Sequence, residues 1–147
     1  MKIITLLFII SCFILNPYFI FSQDENTCNL TVKVNNIKSN KGTIQIALCN
    51  SEDNYTSRGD DGFMQDSAFI KKKKTECTFK NIPYGTYAVK IFHDKNGNKI
   101  LDVNSFGIPS EDYGFSNDAK GMFGPARWED AKFEVNTKQL VILIDMQ

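Results

Sequence analysis

Apolar and polar residues alternate over residues 28–35: Cys28, Leu30, Val32 and Val34 face one way, Asn29, Thr31, Lys33 and Asn35 the other. A period of two predicts an antiparallel strand with one wet face, here over residues 28–37. Ser39-Asn40-Lys41-Gly42 carries turn chemistry, and residues 43–50 alternate again, which predicts an opening hairpin. Residues 51–66 are polar and read as a loop, while residues 63–70 fit a short strand or a helical turn equally well. A third strand is predicted over 75–82 and a fourth over 86–92, joined as a second hairpin by Pro83-Tyr84-Gly85. Residues 133–135 and 140–144 predict two closing strands around Asn136-Thr137-Lys138. There is no long amphipathic helix and no internal repeat. The expected fold is therefore all-β: a single immunoglobulin-like or transthyretin-like antiparallel β-sandwich with one long ordered loop.

That loop, from about residue 94 to 129, has little periodicity and many turn residues. A long segment without regular structure inside a small domain is functional or disordered. Phe106, Ile108, Tyr113, Phe115, Met122, Phe123 and Trp128 argue for order, as apolar anchors that would bury surface. The loop opens with Asp94, Asn96 and Asn98 at every second position, followed by Asp102. Hard cations such as calcium take six to eight oxygen ligands, and side chains two apart can wrap around one. Position six of an EF-hand would be Lys99 rather than glycine and position twelve Ser105 rather than glutamate, so the pattern is not an EF-hand. An ion-free turn is the alternative: Asn96-Gly97 is turn chemistry, Lys95 and Lys99 interrupt the oxygens, and Asn and Asp side chains can bond the backbone themselves.

The N-terminus changes the setting. After Lys2, residues 3–21 are apolar apart from Thr5, Ser11, Asn16 and Pro17, which predicts a secretory leader over residues 1–22 and a sandwich domain over 24–147. A transmembrane anchor and a lipoprotein attached through Cys12 are the alternatives. The expected location is outside the cytoplasm, periplasmic or secreted, with no membrane span once the leader is removed. The chain has 17 basic and 17 acidic residues; the leader removes Lys2 alone, leaving 16 against 17. Overall neutrality makes no electrostatic case for nucleic acid or an anionic membrane, and Lys71-Lys72-Lys73-Lys74 reads as a solvated loop or strand edge, with a binding patch as the alternative. Export permits a disulfide among Cys28, Cys49 and Cys77. Cys28 shares a face with Leu30, and Cys77 with Phe79, whereas Cys49 lies opposite Ile44, Ile46 and Leu48. Face parity thus predicts a Cys28–Cys77 bridge, with three unpaired buried cysteines as the alternative.

Enzyme readings find little to build on. His93 is the sole histidine, so a histidine-rich zinc site is excluded, and the cysteines lack close metal spacing. A hydrolase using His93 and Ser116 is conceivable, but Gly114-Phe115-Ser116-Asn117-Asp118 is not a nucleophile-elbow sequence. Asp102 and Glu111 could pair for glycoside hydrolysis, though a small sandwich offers no evident cleft. Tyr113, Phe115 and Trp128 could form an aromatic platform for a glycan or take up core positions instead. Arg58-Gly59-Asp60 resembles an adhesion triplet of the kind that arises by chance in glycine-rich loops.

Four stretches in order, residues 42–48, 79–89, 93–102 and 107–117, resemble domain of unknown function 2141, a family of exported bacterial proteins. The resemblance spans nearly the whole mature chain and implies a secreted or periplasmic β-sandwich. Its strand–Pro-x-Gly–strand centre is similar to transthyretin-like and carboxypeptidase-regulatory-like sandwiches. Its acidic run looks like the calcium loops of bacterial adhesin sandwiches. Carried over, that likeness makes Asp94, Asn96, Asn98, Asp102 and Glu111 the calcium ligands, with Lys95 and Lys99 as departures. The expected function is a non-enzymatic binding or accessory module of the cell envelope, its partner a protein or glycan.

Overall fold

Each alternating segment forms a strand, and the residues between them decide how the strands pair. The computed structural model describes residues 26–57, 62–122 and 124–147. The leader with Cys12, the Arg58-Gly59-Asp60 triplet and Phe123 lie outside them. The strands are β1 (Thr27–Asn35), β2 (Thr43–Cys49), β3 (Met64–Phe69), β4 (Thr75–Pro83), β5 (Gly85–Asp94), β6 (Tyr113–Phe115), β7 (Phe133–Val135) and β8 (Gln139–Asp145). Two short helices, α1 (Glu52–Thr56) and α2 (Trp128–Ala131), and a 3-10 turn at Ser116–Asp118 complete the fold. Residues 64–69, open in the sequence, are thus a strand, and β6 and α2 interrupt the long loop.

One sheet has the order β4-β1-β8 and the other β3-β2-β5-β6, with β7 beside β5. This is an all-β sandwich. The connections correct the expected hairpins. β1 and β2 lie in different sheets, as do β4 and β5, and β7 and β8. Each short turn therefore carries the chain across the core as an arch. The first sheet is also mixed rather than purely antiparallel, because β8 runs parallel to β1 in a register that sets Val32 beside Ile142.

Between the sheets, Leu30, Val32 and Val34 of β1 meet Ile44, Ile46 and Leu48 of β2 and Tyr87, Val89 and Ile91 of β5, all buried. The outer face of β2 and β5 carries a second apolar cluster. Cys49, Ala88 and Phe115 pack there against Tyr55 of α1 and Trp128 and Ala131 of α2. Ser51 caps α1, its hydroxyl accepting the Asn54 N–H while the Asn54 side chain accepts the Ser51 N–H. Tyr55 then donates to the Ala126 carbonyl at 3.0 Å, fixing the cover over β5.

The cysteines correct the expected disulfide. Cys28, Cys49 and Cys77 are buried and unpaired. Cys77 does face the core, but the β1–β4 register sets it opposite Val32. That is four residues from Cys28, about 13 Å along a strand, where a disulfide needs Cα atoms roughly 4.4–6.8 Å apart. Cys77 instead donates to Asp66 Oδ2 at 3.1 Å. Burial raises the Cys77 thiol, and the nearby Asp66 carboxylate adds to the rise, to about 12. Burial raises Cys49 to about 11, partly offset by the Lys90 charge.

Folded-state values raised above those of the free thiols stabilise the fold below about pH 8.5 and lose that contribution as pH climbs through the folded values. Denaturant midpoints are expected to fall between pH 8.5 and 11, with a shallower fall in Cys49→Ala. Alkylation of residues 24–147 should find no reactive thiol in the native protein and three after denaturation; one would restore the disulfide.

The 71–74 turn is unusual. Lys71 and Lys74 exchange backbone hydrogen bonds of 2.9 and 3.1 Å around Lys72 and Lys73, which have φ of +52° and +59°. Two left-handed residues in a two-residue turn favour Asn-Gly, and lysine is strained there by about 1 kcal/mol or more per residue. Lys72→Asn with Lys73→Gly should therefore stabilise the domain by about 1 kcal/mol, raising its melting midpoint by roughly 4 °C.

Candidate functional site

The site is the 94–112 loop, at the end of the sandwich where β5 finishes. Gly42 makes the approach there. It has φ +81°, and a side-chain carbon on it would lie 2.0 Å from the Asp94 carbonyl oxygen, so the turn before β2 packs directly on the end of β5.

Asp94 is fully buried and accepts three hydrogen bonds. Oδ1 takes the Gly97 N–H at 2.7 Å; Oδ2 takes the Lys99 N–H and the Gln45 side-chain amide, each at 3.1 Å. Glu111, also buried, accepts the Lys95 N–H at 2.9 Å and the Asp102 N–H at 3.2 Å on its two oxygens. Asp102 receives both asparagine amides, from Asn96 at 2.6 Å and Asn98 at 3.0 Å. The Asn96 and Asn98 carbonyl oxygens accept the N–H groups of Asn98 and Ile100. All five expected ligand residues thus meet in one loop, with their oxygens engaged by the protein's own N–H groups. Among the described residues, no three carboxylate, imidazole or thiol groups gather closely enough to hold a metal on their own.

The sequence reading missed the neighbouring charge cluster. Asp112 pairs with Lys38 and, at 3.2 Å, with Lys95. Burial pushes its carboxyl up, but the hydrogen bonds and charges of the two lysines outweigh this and hold it below the usual carboxylate range. Nothing in the local pattern marked Lys38, which lies 74 residues away in sequence. His93 is buried, its Nε2 donating to the Lys41 carbonyl at 2.7 Å while Nδ1 has no partner among the described residues.

The geometry bears on two alternatives and corrects one expectation. His93 and Ser116 do not meet: Ser116 Oγ accepts the Val89 N–H at 2.9 Å and donates to the Ala131 carbonyl at 2.6 Å. Val89 precedes His93 by four strand residues, about 13 Å. Tyr113, Phe115 and Trp128 do not form a solvent-facing platform, because Phe115 and Trp128 are buried in the second cluster and Tyr113 packs on it. Nor do all the loop's apolar residues anchor it. Phe106 is 89% exposed, and Ile108 and Met122 also face solvent.

Around Phe106 the backbone is nonetheless bonded. Asn104 Oδ1 accepts the Phe106 and Ile108 N–H groups, the Asn104 and Gly107 N–H groups bond across the turn, and Val103 bridges to Pro109.

A family described as an uncharacterized protein conserved in bacteria, DUF2141, matches residues 32–142. The chain belongs to this family. The DUF2141 match runs from mid-β1 to mid-β8 and contains the whole Asp94–Asp112 loop as well as the 71–74 turn. No curated protein and no solved structure matches the chain. The loop's own geometry therefore carries any argument about this DUF2141 member.

Glu111→Gln places an amide N–H₂ against one of the two backbone N–H groups it now satisfies. The expected cost is about 2 kcal/mol, read as a lower denaturation midpoint; an unchanged midpoint would show that these bonds do not hold the loop.

Proposed function

We propose that this chain is an exported, non-enzymatic binding module of the bacterial cell envelope, whose 94–112 loop takes up a calcium ion. The observation that supports the ion is the pair Asp94 and Glu111: two buried carboxylates with no cationic side chain in ion-pair contact among the described residues. Buried charge is costly without compensation, and hydrogen bonds from neutral N–H groups supply only part of it. A carboxylate has about four acceptor positions. Asp94 uses three, and Glu111 and Asp102 two each, so each keeps acceptor capacity. Turning the Asn96 and Asn98 amides would add two neutral oxygens. Calcium accepts such a mixed carboxylate, amide and water set.

Export follows from the apolar N-terminal run. The non-enzymatic reading is supported by Ser116 and His93, which both bond backbone groups; a hydrolytic activity lost in His93→Ala would overturn it.

The test is the melting of residues 24–147, which contain every element of the fold, in chelator and in about 10 mM calcium. For an extracellular-type site with a dissociation constant of roughly 0.1–1 mM, linkage predicts about 1.4–2.7 kcal/mol of stabilisation, a rise of several degrees. Asp102→Asn should remove most of that rise and lower the midpoint in chelator only slightly, because its amide opposes one of the two exposed asparagine amides that Asp102 receives. No rise, or an equal one in Asp102→Asn, would contradict the site.

A further inference from the structure

Overall neutrality hides where the lysines go. Thr43 pairs with both Phe69 and Asp94, and Thr75 with Val34, so the 36–42 turn, the 71–74 turn and the 94–112 loop share one end of the sandwich. Contacts join them: the Ile37 N–H bonds the Lys73 carbonyl, Asn40 Oδ1 accepts the Lys73 N–H, and Lys38 reaches Asp112. Eight lysines meet there. Lys38 and Lys95 share Asp112, whereas the four lysines of the 71–74 turn, with Lys41 and Lys99, are exposed and lack an ion-pair partner among the described residues. The acids of the 94–112 loop are engaged differently: Asp94 and Glu111 are buried on backbone N–H groups, Asp112 is shared by two lysines, and Asp102 holds two asparagine amides.

The same end carries large apolar side chains in water. Phe106 is 89% exposed, Phe69 79%, Ile100 66% and Ile108 59%. The hydrogen-bonded 104–108 turn holds Phe106 outward, and strained left-handed backbone holds Lys72 and Lys73 at a tip where Asn-Gly would be more stable. Exposed apolar residues beside unpaired lysines fit a surface that is anionic outside and hydrocarbon beneath. A soluble polyanion would engage the lysines and gain nothing from Phe106.

We propose that this end docks on an anionic lipid surface, with the Phe106 turn entering the headgroup layer and the 71–74 lysines on the phosphates. The proposal rests on the reading of the chain as an exported binding module, but not on calcium.

Flotation of residues 24–147 with vesicles of phosphatidylglycerol and phosphatidylcholine, in chelator so that calcium cannot bridge protein to lipid, tests it. Binding is expected to these vesicles, to fall at high salt, and to be lost with pure phosphatidylcholine. Each lysine at an anionic surface is worth about fivefold, so Lys72→Asn with Lys73→Gly should weaken binding roughly 25-fold. Because that double variant is expected to melt higher, its loss of binding could not be ascribed to unfolding. Phe106→Ser should weaken binding about tenfold. No binding, equal binding to neutral vesicles, binding indifferent to both variants, or capture by polyphosphate without vesicle binding would each overturn the proposal. A calcium-dependent melting shift without vesicle binding would leave the calcium loop standing and remove only the docking surface.

Discussion

The carboxylate of Asp94 sits at the end of β5, the strand that bonds β2, β6 and β7, and it is fully buried. Its three hydrogen bonds turn the chain back at Gly97 and Lys99 and tie that turn to Gln45 of β2. Glu111 closes the same loop from its far side through the N–H groups of Lys95 and Asp102. A segment of this length without its own ladder must still satisfy its backbone. Here two acidic side chains meet much of that demand. The Gly42 backbone lies against the Asp94 carbonyl, the preceding residue, His93, bonds Lys41, and Lys38 reaches Asp112. One end of the sandwich is thereby made into a single bonded unit.

That unit separates charge from apolar surface in a way that net charge cannot report. The acids of the 94–112 loop are occupied by backbone N–H groups, amides or lysines, while most of the lysines of this end and several large apolar side chains are left to solvent. The opposite face of the second sheet does the reverse. Phe115 and Trp128 both pack on Tyr55, with ring centroids 5.7 Å apart for Tyr55 and Trp128 and 6.0 Å for Tyr55 and Phe115. Aromatic burial thus stabilises one region of the molecule, and aromatic exposure at Phe106 characterises the other.

Strand positions and buried faces were legible because alternation is a local property. β1, β2, β4, β5, β7 and β8 lie where the pattern put them to within two residues, and Cys49 faces away from Leu48 as parity required. Pairing was not legible. A strand with one apolar face satisfies that face equally in a hairpin or in an arch across a core, so Gly42 and Pro83-Tyr84-Gly85 marked turns without saying which sheet came next. The disulfide failed for the same reason: Cys28 and Cys77 share the core, but register sets them apart. In the loop, the two-residue spacing found Asp94, Asn96 and Asn98 because local side-chain bonds need that spacing, whether or not an ion joins them. Composition predicted apolar burial in the loop but could not assign it to Trp128 rather than Phe106. Asn104 and Gly107 flanking Phe106 were the one cue that it sits at a turn.

The most direct test of the account is amide hydrogen exchange of residues 24–147 in chelator, read at Lys95, Gly97, Lys99 and Asp102. If the buried carboxylates hold the loop, these four amides are protected as β5 amides are. Glu111→Gln then releases one of Lys95 and Asp102 ahead of Gly97 and Lys99. Fast exchange at all four in the unaltered chain would contradict the account, because it would mean that Asp94 and Glu111 do not shape this end of the sandwich.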